Sequence, residues 1–531
     1  MTRKLVLLSF FLCVFLLPQS IIAQDSLRLL VTIVGERECA SAGDVNGDGF
    51  KDIVTGYYGD GGYIKVFLGG VNFDTIPDLK IMGNGGGFGR AVGCAGDLNK
   101  DGYDDIVVGA PWAYNHSNQA ELAGKAQVFF GGSPMDTVVD VILQDSDYHY
   151  AYGSSVTSAG DVNDDGYDDV MVAAPDDSRG VGRVFIYLGG EDMDSIYDVR
   201  IEGHPDSSEN LGWSVAGIDD INSDGYDDIL IGSPWAGIPW GTGKASIYLG
   251  GDPMDSISDV SVWGDSINFW NFGRAVAYAG DVNGDGVGDM LIGGVSYAAK
   301  LLMTVSWSPE LTLDTLNLFG EDTLPSAFGL RISAAGDINN DGFDDMLISD
   351  YQCGVDLKGK GYIFYGGEEM DSLWDVVLRG EESVGKQFGI SVAHAGDVNG
   401  DTYDEILVAS YGDSGYAGKI FIYTSVSTSL EDQSKKEELN SFHLGQNYPN
   451  PFNAETVIEY ALPTNTQVKL SIYNILGQHI KTLIDECQKA GYKKVTWDGK
   501  DQRGREVSSG IYFYRIKTDR NVEVKKMLLL R

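Results

Sequence analysis

An Asp, an Asn two residues on, a second Asp at the fifth position and a carboxylate at the ninth recur seven times along this chain of 531 residues. The copies are Asp44, Asn46, Asp48 and Asp52; Asp97, Asn99, Asp101 and Asp105; Asp161, Asn163, Asp165 and Asp169; and Asp220, Asn222, Asp224 and Asp228. They continue with Asp281, Asn283, Asp285 and Asp289; Asp337, Asn339, Asp341 and Asp345; and Asp397, Asn399, Asp401 and Glu405. Carboxylate and amide oxygens at alternate positions of a tight loop suit a hard cation that takes six to eight oxygens, and Gly at position six permits the sharp turn. Calcium is the expected ion, up to seven of them; magnesium, which dehydrates reluctantly and wants a small octahedral cage, fits worse. Asp, Asn and Gly are also ordinary turn formers, but plain turns need no ninth carboxylate. The last loop is the weakest candidate, because Thr402 stands where the others have Gly.

Successive loops begin 53, 64, 59, 61, 56 and 60 residues apart, which is the signature of a repeat architecture. Each lies between short apolar runs such as Ser155 to Ala159 and Val170 to Ala174, which read as strands. The metal loop therefore joins two strands, where an EF-hand joins two helices. A third strand ending in paired Gly follows, as in Lys125 to Gly132, Arg183 to Gly190 and Lys244 to Gly251. A looser fourth follows that, as in Asp198 to Gly203 and Asp259 to Gly264. Four strands in each of seven repeats predict an all-β fold, a seven-bladed β-propeller.

Before the loops stand Phe88-Gly89, Tyr152-Gly153, Phe272-Gly273, Phe328-Gly329 and Phe388-Gly389, with Leu211-Gly212 as a variant. After them come Gly109-Ala110-Pro111, Ala173-Ala174-Pro175 and Gly232-Ser233-Pro234. In these segments the chain resembles the FG-GAP repeats of the integrin α-subunit propeller, a family also found in bacterial secreted proteins. The resemblance covers roughly residues 25 to 425 and implies a calcium-binding, adhesion-type propeller. It is uneven: the first repeat lacks an aromatic-Gly pair, and the fifth has Lys300 to Val305 in place of the strand ending in Gly-Gly, so the fifth blade is expected to be distorted. The seventh repeat lacks a fourth strand. Leu29 to Glu36 resembles the fourth strands elsewhere and is expected to pair with the seventh blade and close the ring, hiding two edges.

Arg3 and Lys4, the apolar run Leu5 to Leu17 and small residues up to Ala23 read as a signal peptide over residues 1–23. That run is too short to span a bilayer, so no transmembrane segment is expected in the mature chain. Residues 24–425 form the propeller and 426–445 a polar linker. Residues 446–531 carry 14 Lys and Arg against 9 Asp and Glu, whereas the chain as a whole carries a net charge of −40, so the two parts are different modules. Acidity of that size argues against nucleic acid as a partner. The five Cys are scattered and form no disulfide framework.

Short strands over about 85 residues at the C-terminus, among them Thr456 to Tyr460, Val468 to Tyr473 and Lys494 to Trp497, suit a small β-sandwich. Asn447 to Phe452, Ile472 to Gly477, Trp497-Asp498-Gly499, Gly510-Ile511-Tyr512 and Lys525-Lys526 resemble the C-terminal sorting domain of the type IX secretion system, related to an immunoglobulin-like module. The resemblance implies export by the type IX machinery and attachment to the outer surface. The plain alternative is an adhesive β-sandwich.

No catalytic constellation stands out. Gly412-Asp413-Ser414-Gly415 falls where a blade turn belongs, His116, His149, His204, His394, His443 and His479 are scattered, and neither HExxH nor GxSxG occurs. Trp112, Tyr114, Trp235 and Trp240 follow the GAP position and could form a rim for an extracellular glycan or protein ligand, or pack between blades. Two functions stay open, an adhesion or ligand-binding module and a polymer-degrading enzyme, with a purely structural surface component as a third reading. Asp314, Glu321 and Asp322 in the fifth repeat are where an acid pair breaking the symmetry would be sought.

Overall fold

The computed structural model describes residues 27–425 and 443–530, apart from 116–117, 123, 146–150, 177–179, 206–207, 238–240, 265–268, 297, 308–310, 322–326, 354–356, 369, 381–385, 412–417, 445–446, 448–451, 454–455, 463–465, 476, 489–490 and 519–521. The signal peptide, most of the linker, the Gly412–Gly415 turn, Trp240 and Asp322 lie outside the described residues. The chain divides after Val426 into two compact units.

The first unit holds seven four-stranded antiparallel sheets, spanning 38–82, 91–143, 155–202, 214–263, 269–319, 332–379 and 392–425. The third sheet shows the layout. Its strands are Ser155–Gly160, Asp169–Ala174, Arg183–Tyr187 and Val199–Glu202, paired in chain order. Val, Ile, Ala and Met dominate the second strands because these are buried on both faces, as Asp105–Ala110 and Asp169–Ala174 are throughout. First strands of neighbouring sheets pack against each other in sequence order, and that of the seventh sheet packs against that of the first. The sheets therefore close a ring.

Closure is completed by Leu27–Val34, which pairs antiparallel with Lys419–Ser425 as the outer strand of the seventh sheet. Glu36, fully buried just beyond it, meets Lys65 Nζ of the first sheet at 2.5 Å.

Two details depart from the sequence reading. Third strands stop at Phe129, Tyr187 and Tyr248, short of the paired glycines, because those glycines bend away to serve the acidic loops. The fifth sheet is lengthened. Its strands Phe269–Gly280, Asp289–Ser296, Ala298–Trp307 and Leu311–Phe319 keep four-stranded pairing, since a chain without the Gly-Gly bend runs straight on.

The second unit pairs His443–Leu444, Thr456–Leu462 and Gly491–Trp497 in one sheet. His479–Gln488, Thr466–Asn474, Gly510–Lys517 and Val522–Leu529 form the other. Ile458, Tyr460 and Trp497 from the first and Leu470, Ile472, Tyr514 and Met527 from the second share one core. Trp497, fully buried, packs against Phe452 and Tyr512 with ring centroids at 5.6 and 5.2 Å, and its Nε1–H donates to the Lys500 carbonyl. Asn447 donates its backbone N–H to the Tyr514 hydroxyl and its side-chain amide to Thr456. Asn447, Phe452, Trp497 and Tyr512 thus converge on one core. Trp497→Ala is expected to cost about 3–5 kcal/mol of this unit's stability, read from its denaturation midpoint.

Candidate functional site

Each acidic loop is an oxygen cage closed by backbone N–H donors. In the third, Asp161 Oδ1 accepts from Asp165 N at 3.0 Å and Oδ2 from Gly166 N at 2.7 Å. Asn163 Oδ1 accepts from Asp165 N at 3.1 Å, and Asp165 Oδ1 from Tyr167 N at 3.0 Å. The ninth residue, Asp169, is fully buried and accepts from Val162 N of its own loop and from Gly189 N of the Gly-Gly bend, at 2.9 and 2.8 Å. Asp52, Asp105 and Asp228 repeat this double acceptance with Gly69, Gly131 and Gly250, and Asp345 with Gly366.

The cage is charged and uncompensated. Burial, with repulsion from the first and fifth carboxylates, holds Asp52, Asp169 and Asp228 up to about 7 and Asp105 and Asp345 up to about 8; the backbone N–H bonds only partly offset this. No cation contributes at any of the five. Three acids within one nine-residue loop and no counter-charge suit a divalent cation, which would be held by positions one, three, five and nine and would supply the missing positive charge. Among the described residues no three His, Cys, Asp or Glu side chains already converge as a coordination shell, since these oxygens point to N–H groups.

The seventh loop differs. Thr402 takes a φ of 73° and still donates to Asp397, but the Asn399 amide turns to Glu405 at 2.5 Å, where Asn163 and Asn222 turn to the fifth-position Asp.

These shifts give the metal-free protein a definite pH dependence. Carboxyls whose folded pKa lies above the unfolded value stabilise the fold below about pH 4, and that contribution is lost as pH rises through 7–8. A bound calcium ion would need the ionised forms, so its contribution would grow over the same range. Protein dialysed free of calcium is expected to melt lower at pH 8.5 than at pH 5.5, with the order reversed in excess calcium.

The residue before the ninth acid acts on another sheet. Asp104 Oδ2 accepts the N–H of Asp44 at 2.6 Å, Asp168 that of Asp97 at 2.7 Å, Asp227 that of Asp161 at 2.9 Å and Asp344 that of Asp281 at 2.9 Å. These four loops are thus capped by the following sheet. A Cβ on the preceding Gly43, Gly96, Gly160 or Gly280, all at φ between 76° and 80°, would collide with that carboxylate. At the ring closure Lys51 replaces the Asp, and its N–H donates to the Asp397 carbonyl at 3.2 Å. Asp404 is engaged by His394 at 3.1 Å, so His394 has a packing partner within the ring.

The opposite face is built from the other turns, because consecutive connections of an antiparallel sheet alternate between its ends. There the starts of the first strands surround an axial cavity of about 490 Å³, to which all seven sheets contribute, among them Glu38, Arg90, Ser155, Trp213, Arg274, Arg331 and Ser391. The aromatic-Gly pairs order this end. Phe88, Tyr152, Phe272, Phe328 and Phe388 are buried, and the glycines after them take φ of 81–91°. Gly89, Gly153, Gly212, Gly329 and Gly389 donate to carbonyls at the GAP position of their own sheet. Trp112 is 45% exposed at the cavity, while Trp235 packs edge-on against Trp213 at 4.6 Å. Sequence reasoning missed the arginines; the signal was Arg directly after Phe88-Gly89 and Phe272-Gly273. Burial pushes the Cys39 thiol up to about 12, which keeps it protonated and unreactive.

In the fifth sheet Glu321 meets Lys360 at 3.1 Å and forks onto Arg379 at 2.8 and 2.5 Å, and these partners hold its carboxyl below the usual range. Asp314 is exposed and accepts the Thr315 N–H.

Comparison with known proteins agrees with this architecture. Residues 88–129, 152–187, 211–248 and 388–423 match the FG-GAP repeat, and residues 446–530 match the secretion system C-terminal sorting domain. The chain therefore carries FG-GAP repeats and a C-terminal type IX sorting domain, and it is secreted and attached to the cell surface. Within the propeller it is similar to integrin α chains. It is 28% identical over 232 residues to integrin alpha-5 of Xenopus laevis, covering 42% of this chain and 21% of that one. It is 31% identical over 182 residues to integrin alpha ina-1 of Caenorhabditis elegans, covering 30% and 16%. With integrin alpha-6 of Gallus gallus it shares 33% identity over 159 residues, covering 29% and 14%. The match thus spans under a quarter of the length of these relatives. Among solved structures, PorZ, described as an essential bacterial surface component of the type-IX secretion system of Porphyromonas gingivalis, overlays 91% of this chain and 58% of its own, with 15% identity and a TM-score of 0.39.

Proposed function

We propose that residues 24–425 form a seven-bladed, calcium-stabilised propeller displayed on the cell surface to bind an extracellular glycan or protein, and that the immunoglobulin-like sandwich at 446–531 delivers it through the type IX machinery. The observation that carries this reading is the separation of the two faces. Acidic loops and Gly-Gly bends occupy one end of every sheet, and the axial cavity with its tryptophan rim lies at the other. Calcium in this reading is structural and touches no ligand. The chain is read as a non-enzyme: Glu321 is spent on ion pairs and Asp314 on a turn.

The purified chain from residue 24 onward, screened against polysaccharides and matrix proteins, is expected to bind with calcium. It is also expected to bind without calcium at temperatures where its melting curve shows it still folded. Binding lost at once on calcium removal from folded protein would put the metal in the ligand site. Product release would favour the enzyme, and a folded chain that binds nothing a structural surface component. For the tail, a chain ended at Leu444 is expected to stay inside the cell when surface protein is assayed by protease shaving; its normal appearance outside would remove the sorting role.

A further inference from the structure

Three arginines line the axial cavity of a strongly acidic protein, and they are not equally occupied. Arg90 is paired with Glu38 at 3.1 Å. Arg331 spends Nε on the Ile390 carbonyl and one Nη on that of Leu330, at 2.8 and 3.0 Å, which fixes its guanidinium with the other Nη unspent among the described residues. Arg274 has no hydrogen bond or ion pair among the described residues. It lies over the Trp213 and Trp235 rings at 4.8 and 5.8 Å, and its Nε is buried without an acceptor. Burial lowers the Arg274 pKa; Tyr351 opposes that and Arg331 adds to it. Asp176, the other carboxylate of the lining, has a partner of its own. A half-buried guanidinium with a buried, unpaired Nε beside a second cation is costly unless an anion completes it.

We propose that this cavity binds a carboxylated saccharide, with the carboxylate taken by Arg274 and Arg331 and the sugar ring laid against Trp112. The inference rests on the ligand-binding reading above and names its ligand class. A planar carboxylate matches the guanidinium fork. A sugar is favoured over an acidic peptide by the exposed indole face of Trp112, steadied edge-on by Tyr58 at 6.2 Å, and by the hydroxyls of Ser155 and Ser391 in the wall. The volume of about 490 Å³ is that of a small-molecule site, enough for a few sugar rings.

The test titrates the full chain with a trigalacturonate, with its carboxyl-reduced galactose counterpart and with a hexaglutamate peptide, following tryptophan fluorescence and calorimetric heat. Trigalacturonate is expected to bind and to quench tryptophan, and the reduced sugar to bind about 10- to 100-fold more weakly. Arg274→Gln is expected to cause a similar loss and Arg274→Lys a smaller one, with melting unchanged. If Arg274→Gln melts early, Arg274→Lys and Arg331→Gln carry the test. Equal binding of the reduced sugar, preference for hexaglutamate, or indifference to both arginines would overturn the inference. Another glycan or protein that binds undisturbed by Arg274→Gln would keep the adhesion reading and reject this site; a folded chain that binds nothing would remove both.

Discussion

Stripping calcium is expected to lower the melting temperature of the chain by about 15–30 °C. Linkage gives about 2.7 kcal/mol for a site held at 100 times its dissociation constant. Six loops keep Gly at position six, so the sum is roughly 16 kcal/mol. For a unit of this size each kcal/mol is worth roughly 1–2 °C, extending the trend of smaller domains. The physical source is the uncompensated acid cluster of each loop, where burial and mutual repulsion already disfavour the charged forms. Calorimetry before and after dialysis, with calcium restored, measures the effect. Asp165→Ala, which empties one cage, should remove about a sixth of it. An unchanged transition would reduce the seven loops to turns.

Deleting residues 27–34 is expected to abolish cooperative melting. That strand pairs with Lys419–Ser425 along its length, with Val31 to Val34 set against Ile422 to Lys419. Its loss bares an edge strand whose alternate side chains, Ile420 and Ile422, are buried, and such edges template aggregation. Light scattering and a melting curve on the shortened chain are the measurements. A monomeric chain with the full-length transition would mean that the ring does not depend on this seam.

The strand framework was legible because one supersecondary unit is written repeatedly, and Phe-Gly, loop and Gly-Gly sit at fixed offsets from one another. That the nine-residue loop joins the first two strands of each sheet could be read from spacing alone. The capping by Asp104, Asp168, Asp227 and Asp344 could not, because each acts on a loop about sixty residues upstream and one sequence does not say which sheets adjoin. Nor could the guanidinium cluster, assembled from Arg90, Arg274 and Arg331 only when the ring closes. In the tail, His479–Gln488 escaped notice since it is an edge strand whose Lys481, Asp485 and Glu486 break the alternation a half-buried strand would show. The fifth sheet departs from the others as the missing Gly-Gly suggested, but the form of the departure, strands that run on with irregular register, was not legible.

The seam between Leu27–Val34 and Lys419–Ser425 also sets a clock. Val34 is made 385 residues before its partner Lys419, which at 5–20 residues per second is roughly 20–80 s of synthesis. Throughout that interval the opening strand, with Leu29 and Val34 facing outward, has no edge to join. Every other strand of the ring finds a neighbour within its own repeat, so the first stretch of the ring to be made is the last to be secured. The nascent chain therefore carries a sticky terminus for about a minute, and a holding chaperone that recognises an extended apolar segment near the N-terminus would act during that wait.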